Sequence, residues 1–254
     1  MFKKTIIHLL RAIMYTYYTF YFKFFSLPKL VIIVSTMRSY TSVLSHIIGS
    51  HPKVLGKGEK HLQYEKLKYK KHIYECLFSN RSFFPRYKYI LDNVNWDGEE
   101  PKGEFFEKNK RDLRFIFLLR KTNDTLASTI KRGELSWFDI SNYYLLRLKS
   151  IKSNCEKLIS NHIPYLYISA EDLLLNQRDN LNRISNFLKL QKNLSPEYKI
   201  DSLTGHDGYS DDSKNIFTKK LLNRPITYDN VEHDISEHLK LYAEVTKILK
   251  NNTL

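Results

Sequence analysis

Ser35, Thr36, Arg38, Ser39, Tyr40, Thr41 and Ser42 follow directly on the apolar run Leu30–Val34 and precede a helical pattern with Val43, Leu44, Ile47 and Ile48 on its inner side. A strand that runs into a helix N-terminus offers free backbone N–H groups and the positive end of a dipole, an arrangement suited to phosphate. Arg38 adds a planar cation with several donors, and the hydroxyls of Ser39, Thr41 and Ser42 add more. The same residues also fit a helix with no ligand, capped by Thr41 or Ser42. The loop lacks G-x-x-x-x-G-K-[ST], so kinase or ATPase chemistry loses its main support. A second stretch, FIFLLRKTNDTLASTI, again ends a strand pattern in an arginine, Arg120, with Ser128 eight residues on. With Asn123 or Asp124 as the cap of the next helix, Ser128 lies one to two turns in, facing whatever Arg120 holds. His46 falls opposite the apolar side of its helix and is expected to be exposed.

Elements of fixed kinds must position these residues. Leu30–Val34, Tyr87–Asp92, Arg114–Arg120 and Pro164–Ser169 read as strands, rich in β-branched and aromatic residues. Helical patterns cover 42–50, the very basic 61–78, 138–160, 180–190 and 235–249. The third of these has Ile140, Tyr144, Leu148, Ile151, Cys155 and Leu158 spaced as one stripe. Strands alternating with helices predict an α/β domain with a mainly parallel sheet, which binds ligands at the carboxyl ends of its strands. The loops after Val34 and Leu119 then share one edge. Glu171 and Asp172 are placed to fix a strand-to-helix turn.

The whole chain of 254 residues is large enough for one sizeable domain. Its 41 Lys and Arg against 27 Asp and Glu leave a net charge of +14, which favours anionic partners: nucleotides, acidic glycans, nucleic acid or anionic lipid. No nucleic-acid reader motif matches, so nucleic acid is not expected. Cys76 and Cys155 lack metal spacing and point to a reducing compartment; no carboxylate or His/Cys cluster suggests a metal. Residues 1–27 stand apart from 28–254. At 100° per residue, Ile6, Leu9, Leu10, Ile13, Met14, Tyr17, Phe20, Tyr21 and Phe24 fall on one half of a helix, with Lys4, His8, Arg11, Thr16, Thr19 and Lys23 on the other. That pattern predicts a helix lying in a membrane interface through residues 4–25, with packing on the domain or a true span as the other readings. Arg11 interrupts the apolar window a span needs, and no small-residue cleavage site follows. The expected location is cytoplasmic, peripheral on the inner membrane face.

Taken in order, STMRSYTSVLSHIIGSHP…GKGE, FLLRKTNDTLAS, YISAEDLLLNQRDNLNRISNFLKL and SDDSKNIFTKKL resemble the motifs of the PAPS-dependent sulfotransferases, closest to the bacterial and carbohydrate-type branch. PAPS is 3′-phosphoadenosine 5′-phosphosulfate. The resemblance implies a P-loop-like sulfotransferase fold, a central parallel sheet flanked by helices, with PAPS as co-substrate and no metal. It implies that Arg38, Ser39, Tyr40, Thr41 and Ser42 hold the 5′-phosphosulfate, with Arg38 supporting the departing phosphate. Arg120 and Ser128 would bind the 3′-phosphate. Glu59, in GKGE, stands where related carbohydrate sulfotransferases place a general base, and His61 could replace or orient it. Asn215, Lys219 and Lys220 fall in a block similar to a loop that closes over the nucleotide. The implied reaction is sulfuryl transfer to a hydroxyl of a glycan or glycolipid acceptor. A non-catalytic binder of anionic membrane or glycan, and a P-loop kinase, are the alternative classes. The chain departs from the family pattern at Tyr40, where a glycine is usual, at Lys121, where a proline is, and at Asn93, where a lysine is expected.

Overall fold

The computed structural model describes residues 2–56, 69–79, 86–95, 103–133, 135–200 and 214–253. Five strands, β1 (Lys29–Ser35), β2 (Val54–Leu55), β3 (Tyr89–Val94), β4 (Leu113–Leu119) and β5 (Tyr165–Ser169), form one sheet in the order β2-β3-β1-β4-β5. Every pairing is parallel, with Val34 opposite Val94 on one side and Ser35 opposite Leu118 on the other. The four expected strands all form. The fifth, β2, has two residues and is too short to carry any periodicity.

Nine helices are described: α1 (Phe2–Tyr21), α2 (Thr41–Gly49), α3 (Tyr69–Ser79), α4 (Gly103–Asn109), α5 (Thr122–Ile130), α6 (Trp137–Ser160), α7 (Ala170–Leu175), α8 (Gln177–Phe187) and α9 (Ser236–Asn251). They cover both faces of the sheet, which is why its central strand is apolar from Leu30 to Val34. Leu30, Ile32 and Val34 of β1 pack into one core with Tyr144, Leu148 and Ile151 of α6 and Val245 and Leu249 of α9. Val31 and Ile33 point the other way, into a core with Leu44 and Ile48 of α2 and Leu181 and Ile184 of α8. All five side chains of that run are fully buried, and each contributes about 1.5–3 kcal/mol of transfer free energy.

Among the described residues, two helices start from side-chain caps. Ser136 accepts from the Asp139 N–H at the start of α6, and Ser169 accepts from Asp172 at the start of α7. Glu171 accepts from the Lys121 N–H, so the AED turn ties the end of β5 to the end of β4. Because β2 and β3 lie to one side of β1 and β4 and β5 to the other, the strand order reverses between β1 and β4. A crevice opens there at the carboxyl ends, the usual ligand position of such sheets.

Candidate functional site

Arg38 and Tyr40, in the loop from β1 to α2, both adopt left-handed backbone conformations, with φ of 62° and 63°. Such conformations cost an L-residue about 1–2 kcal/mol, so the surroundings must impose them. Asn95, just past β3, accepts through Oδ1 from the Ser35 hydroxyl and, at 3.4 Å, from Thr41. Thr36 and Ser39 hydroxyls pair at 2.8 Å. From α6, Tyr143 accepts from the Met37 N–H at 2.9 Å and donates to the Asn95 carbonyl at 2.7 Å. Arg147, fully buried on the same helix, donates to the carbonyls of Ser35 and Val94 at 2.7 and 2.8 Å. One helix thus braces the ends of two strands and the loop between them.

The α2 N-terminus has no side-chain cap. Its N-cap residue is Tyr40, and neither Thr41 nor Ser42 takes that role. The Ser39 hydroxyl is spent on Thr36 within the loop and that of Thr41 on Asn95 beyond β3, both residues being buried. The first-turn N–H groups are therefore left to solvent or ligand.

Across the crevice, Arg120 follows β4. It is 3% exposed. One terminal nitrogen donates to the Arg38 carbonyl at 3.1 Å and the other to the Ile226 carbonyl. Its guanidinium lies 5.0 Å from the Tyr40 ring centre and 5.4 Å from that of Tyr228. Its Nε is buried without a partner, and no carboxylate among the described residues pairs with it. Arg38 Nε donates to the Ser128 hydroxyl at 3.3 Å. Arg38, Tyr40, Arg120, Ser128, Lys220, Ile226 and Tyr228 line one cavity of about 80 Å³. An open groove of about 800 Å³ adjoins it, sharing Leu174, Lys220, Leu221 and Leu222. Burial is the largest influence on the Tyr40 phenol and pushes its pKa up, against the opposing effects of the Ile226 N–H and Arg120.

A strap over residues 222–231 crosses the cavity. Tyr40 accepts from the Ile226 N–H at 3.0 Å, Asp124 from the Tyr228 N–H at 3.1 Å and Asn123 from the Val231 N–H at 3.0 Å. Asn123 and Asp124 are thus taken up by the strap and do not cap α5, whose N-cap is Lys121. The helix begins two to three residues earlier than its sequence suggests.

These features sit on a known framework. The chain superposes on the sulfotransferase domain of the Synechococcus PCC 7002 olefin synthase with a TM-score of 0.55, over 88% of this chain and 94% of that one, at 15% identity. This chain has the sulfotransferase fold. Two further structures align less closely: mouse sulfotransferase SULT7A1 complexed with PAP (TM-score 0.43, 12% identity, 90% and 85% of the two chains) and retinol dehydratase complexed with retinol and PAP (0.40, 12%, 91% and 83%). No protein-family model matches the chain, and no curated protein matches it by sequence.

On the sulfotransferase fold, the residues singled out in the sequence separate into three groups. Arg38, Tyr40, Arg120, Ser128 and Lys220 line the common cavity. Ser39, Thr41 and Ser42 shape the loop and the first turn of α2 behind it, and exposed Lys219, with φ of 57°, lines neither cavity. Glu59 and His61 lie outside the described residues, as does the side chain of Asn215, whose backbone belongs to a short 3-10 helix, Lys214–Thr218. Gly56 is the last described residue before Glu59. Its φ is +111°, and a Cβ there would sit 2.6 Å from the Leu91 carbonyl oxygen, so this departure from β2 requires glycine.

His46 is a correction. It is fully buried, not exposed, with Nδ1 2.6 Å from the Ser42 carbonyl and its ring 5.9 Å from Tyr198. The apolar face of α2 packs on the sheet, and the segment around Tyr198 covers the opposite face. Sequence reasoning missed Asn95, Tyr143, Arg147 and the strap. Arg147 and Tyr143 carried a usable signal, flanking the α6 stripe at an i, i+4 spacing. Asn93, already singled out for standing where a lysine is expected, is 1% exposed within β3, and neither side-chain amide atom has a partner.

Proposed function

We propose that this chain binds PAPS, with Arg120 and Ser128 on its 3′-phosphate and Arg38 and the α2 N-terminus on its phosphosulfate, and transfers the sulfuryl group to a hydroxyl of a carbohydrate or glycolipid. The observation that carries this reading is Arg120, a buried guanidinium with no carboxylate partner among the described residues. Burying a cation without a counter-charge is costly, and an anionic ligand supplies that charge. The sulfotransferase fold supports sulfuryl over phosphoryl transfer, as does the absence of a Walker lysine. The acceptor class rests on the likeness of the first loop to the carbohydrate branch and on the basic run Lys53–Lys71, with seven lysines against two glutamates.

In this reaction the bond between sulfur and the bridging phosphate oxygen breaks and its electron pair stays on that oxygen. Arg38 and the first-turn N–H groups of α2 stabilise the charge that develops there. The acceptor oxygen forms the new S–O bond, and its proton passes to the Glu59 carboxylate.

Calorimetric titration with adenosine 3′,5′-bisphosphate in the absence of metal tests the donor site. Native protein is expected to bind at micromolar affinity. Arg120→Ala and Ser128→Ala, checked for folding by thermal melts, should weaken binding, the former by roughly ten- to a hundredfold for lost charge-assisted bonds of about 1.5–3 kcal/mol. No binding by native protein, or tighter binding of ATP with magnesium, would overturn the proposal.

A further inference from the structure

Helix α1 docks on α3 by one face only. Arg11 pairs with Glu75 at 3.6 Å and lies 5.4 Å from the Phe78 ring centre. Tyr15, Tyr18 and Phe22 gather on the Tyr74 ring with centroids 5.5, 5.5 and 6.0 Å away, and Tyr18 is fully buried. Those positions repeat at three- and four-residue intervals and define one stripe of the helix. The opposite stripe is apolar and bare: Leu9, Leu10, Ile13, Phe20 and Phe24 are each at least half exposed, as is Phe25 just beyond. Eight of the fifteen exposed large hydrophobic side chains among the described residues fall between Ile6 and Phe25. Isolated exposed apolar residues need no explanation, whereas a contiguous patch marks an interaction surface.

The charge around the patch identifies what covers it. Residues 1–58 contain eight Lys and Arg and not one Asp or Glu. Exposed Lys23 lies beside the apolar stripe. A helix of about 30 Å with a bare apolar side and basic but no acidic residues of its own matches a negatively charged bilayer surface. Arg11 and the Tyr74 cluster hold the axis against the domain, so the helix meets the lipid along its length. No helix among the described residues is long and apolar enough to cross a membrane.

We propose that α1 is an in-plane anchor that seats this domain on anionic lipid, through the face of Leu9, Ile13 and Phe20. This inference does not depend on the nucleotide reading. Flotation of the full chain with phosphatidylcholine vesicles, with and without phosphatidylglycerol, tests it beside the double variant Leu9→Glu/Ile13→Glu. Native protein should float with the anionic vesicles, with an apparent affinity about tenfold or more above that for neutral ones, since each basic residue near the surface is worth about 1 kcal/mol. The variant should lose flotation while keeping the native thermal midpoint and bisphosphate affinity. Native protein that stays unbound, or binds both vesicles equally, overturns the proposal. So does a concentration-dependent dimer in sedimentation velocity that the variant dissociates, without vesicle binding; the face would then join two copies of this chain.

Discussion

Tyr40 holds a left-handed backbone conformation that favours glycine. Its φ of 63° and ψ of 19° are the conformation a glycine would take, and the strain is offset by what the side chain does. The ring lies against Arg120, and the hydroxyl takes the Ile226 N–H. Such contacts are worth about 0.5–2 kcal/mol for the ring and about 0.5–1.5 kcal/mol for the hydrogen bond. Two substitutions separate strain from contact. Alanine keeps the left-handed cost and loses both contacts, while glycine loses the contacts and sheds the cost. Tyr40→Gly should therefore unfold in urea at a higher midpoint than Tyr40→Ala, by about 1 kcal/mol in stability. Equal midpoints would mean that the backbone at residue 40 relaxes once the ring is gone.

Elements were legible in the sequence where burial imposes a pattern. Each of β1, β3, β4 and β5 contains an apolar run because helices cover both faces, and the α6 stripe from Ile140 to Leu158 is buried throughout. Short elements were not legible. Val54–Leu55 is a strand only because β3 lies beside it, and α4 is anchored by Phe105 and Phe106 within a single charged stretch. The two arginines of the site could be read from their places after strands; their shared cavity could not, because the strap that closes it has no periodicity. The strap exists through Tyr40, Asn123 and Asp124, residues distant in sequence. The cavity around Arg120 holds about 80 Å³, below the roughly 300–1,000 Å³ of small-molecule sites, so the proposed 3′-phosphate contact with Arg120 goes with a strap that lifts and an Ile226 carbonyl that releases the guanidinium. Asp124→Ala removes the acceptor for the Tyr228 N–H. It should speed hydrogen exchange at the Ile226 and Tyr228 amides while leaving the amides of β1 and β4 protected. Unchanged exchange at both strap amides would show that Tyr40 and Asn123 hold the strap without it.

For the molecule as a whole, acid should act in one direction through two routes. The net charge is already +14 with histidines neutral, and nine histidines add to it as pH falls, so self-repulsion grows. Against this general effect, His238 makes a local one. It is buried where α9 meets α6, its ring tilted against those of Trp137 and Tyr144, with one ring nitrogen 2.8 Å from the Ser141 hydroxyl and Nδ1 without a partner. Desolvation by burial holds its pKa below the usual value, outweighing the opposing pull of Glu237, Ser141 and Asp234. Burial lowers the His51 pKa in the same way. A histidine whose pKa is depressed on folding binds its proton more readily in the unfolded chain. Its contribution is therefore complete above the unfolded value of about 6.5 and is lost as pH falls through the folded value. The thermal midpoint should fall between pH 7.5 and pH 5, above most of the carboxylate range. Salt separates the two routes, because it screens long-range repulsion and leaves a buried ring almost untouched. At high sodium chloride the residual slope should belong to the buried rings, and His238→Gln, which cannot take up a proton, should flatten it further. A slope that salt abolishes completely in the native protein would assign the acid sensitivity to net charge alone, with no cost for protonating the ring between α6 and α9.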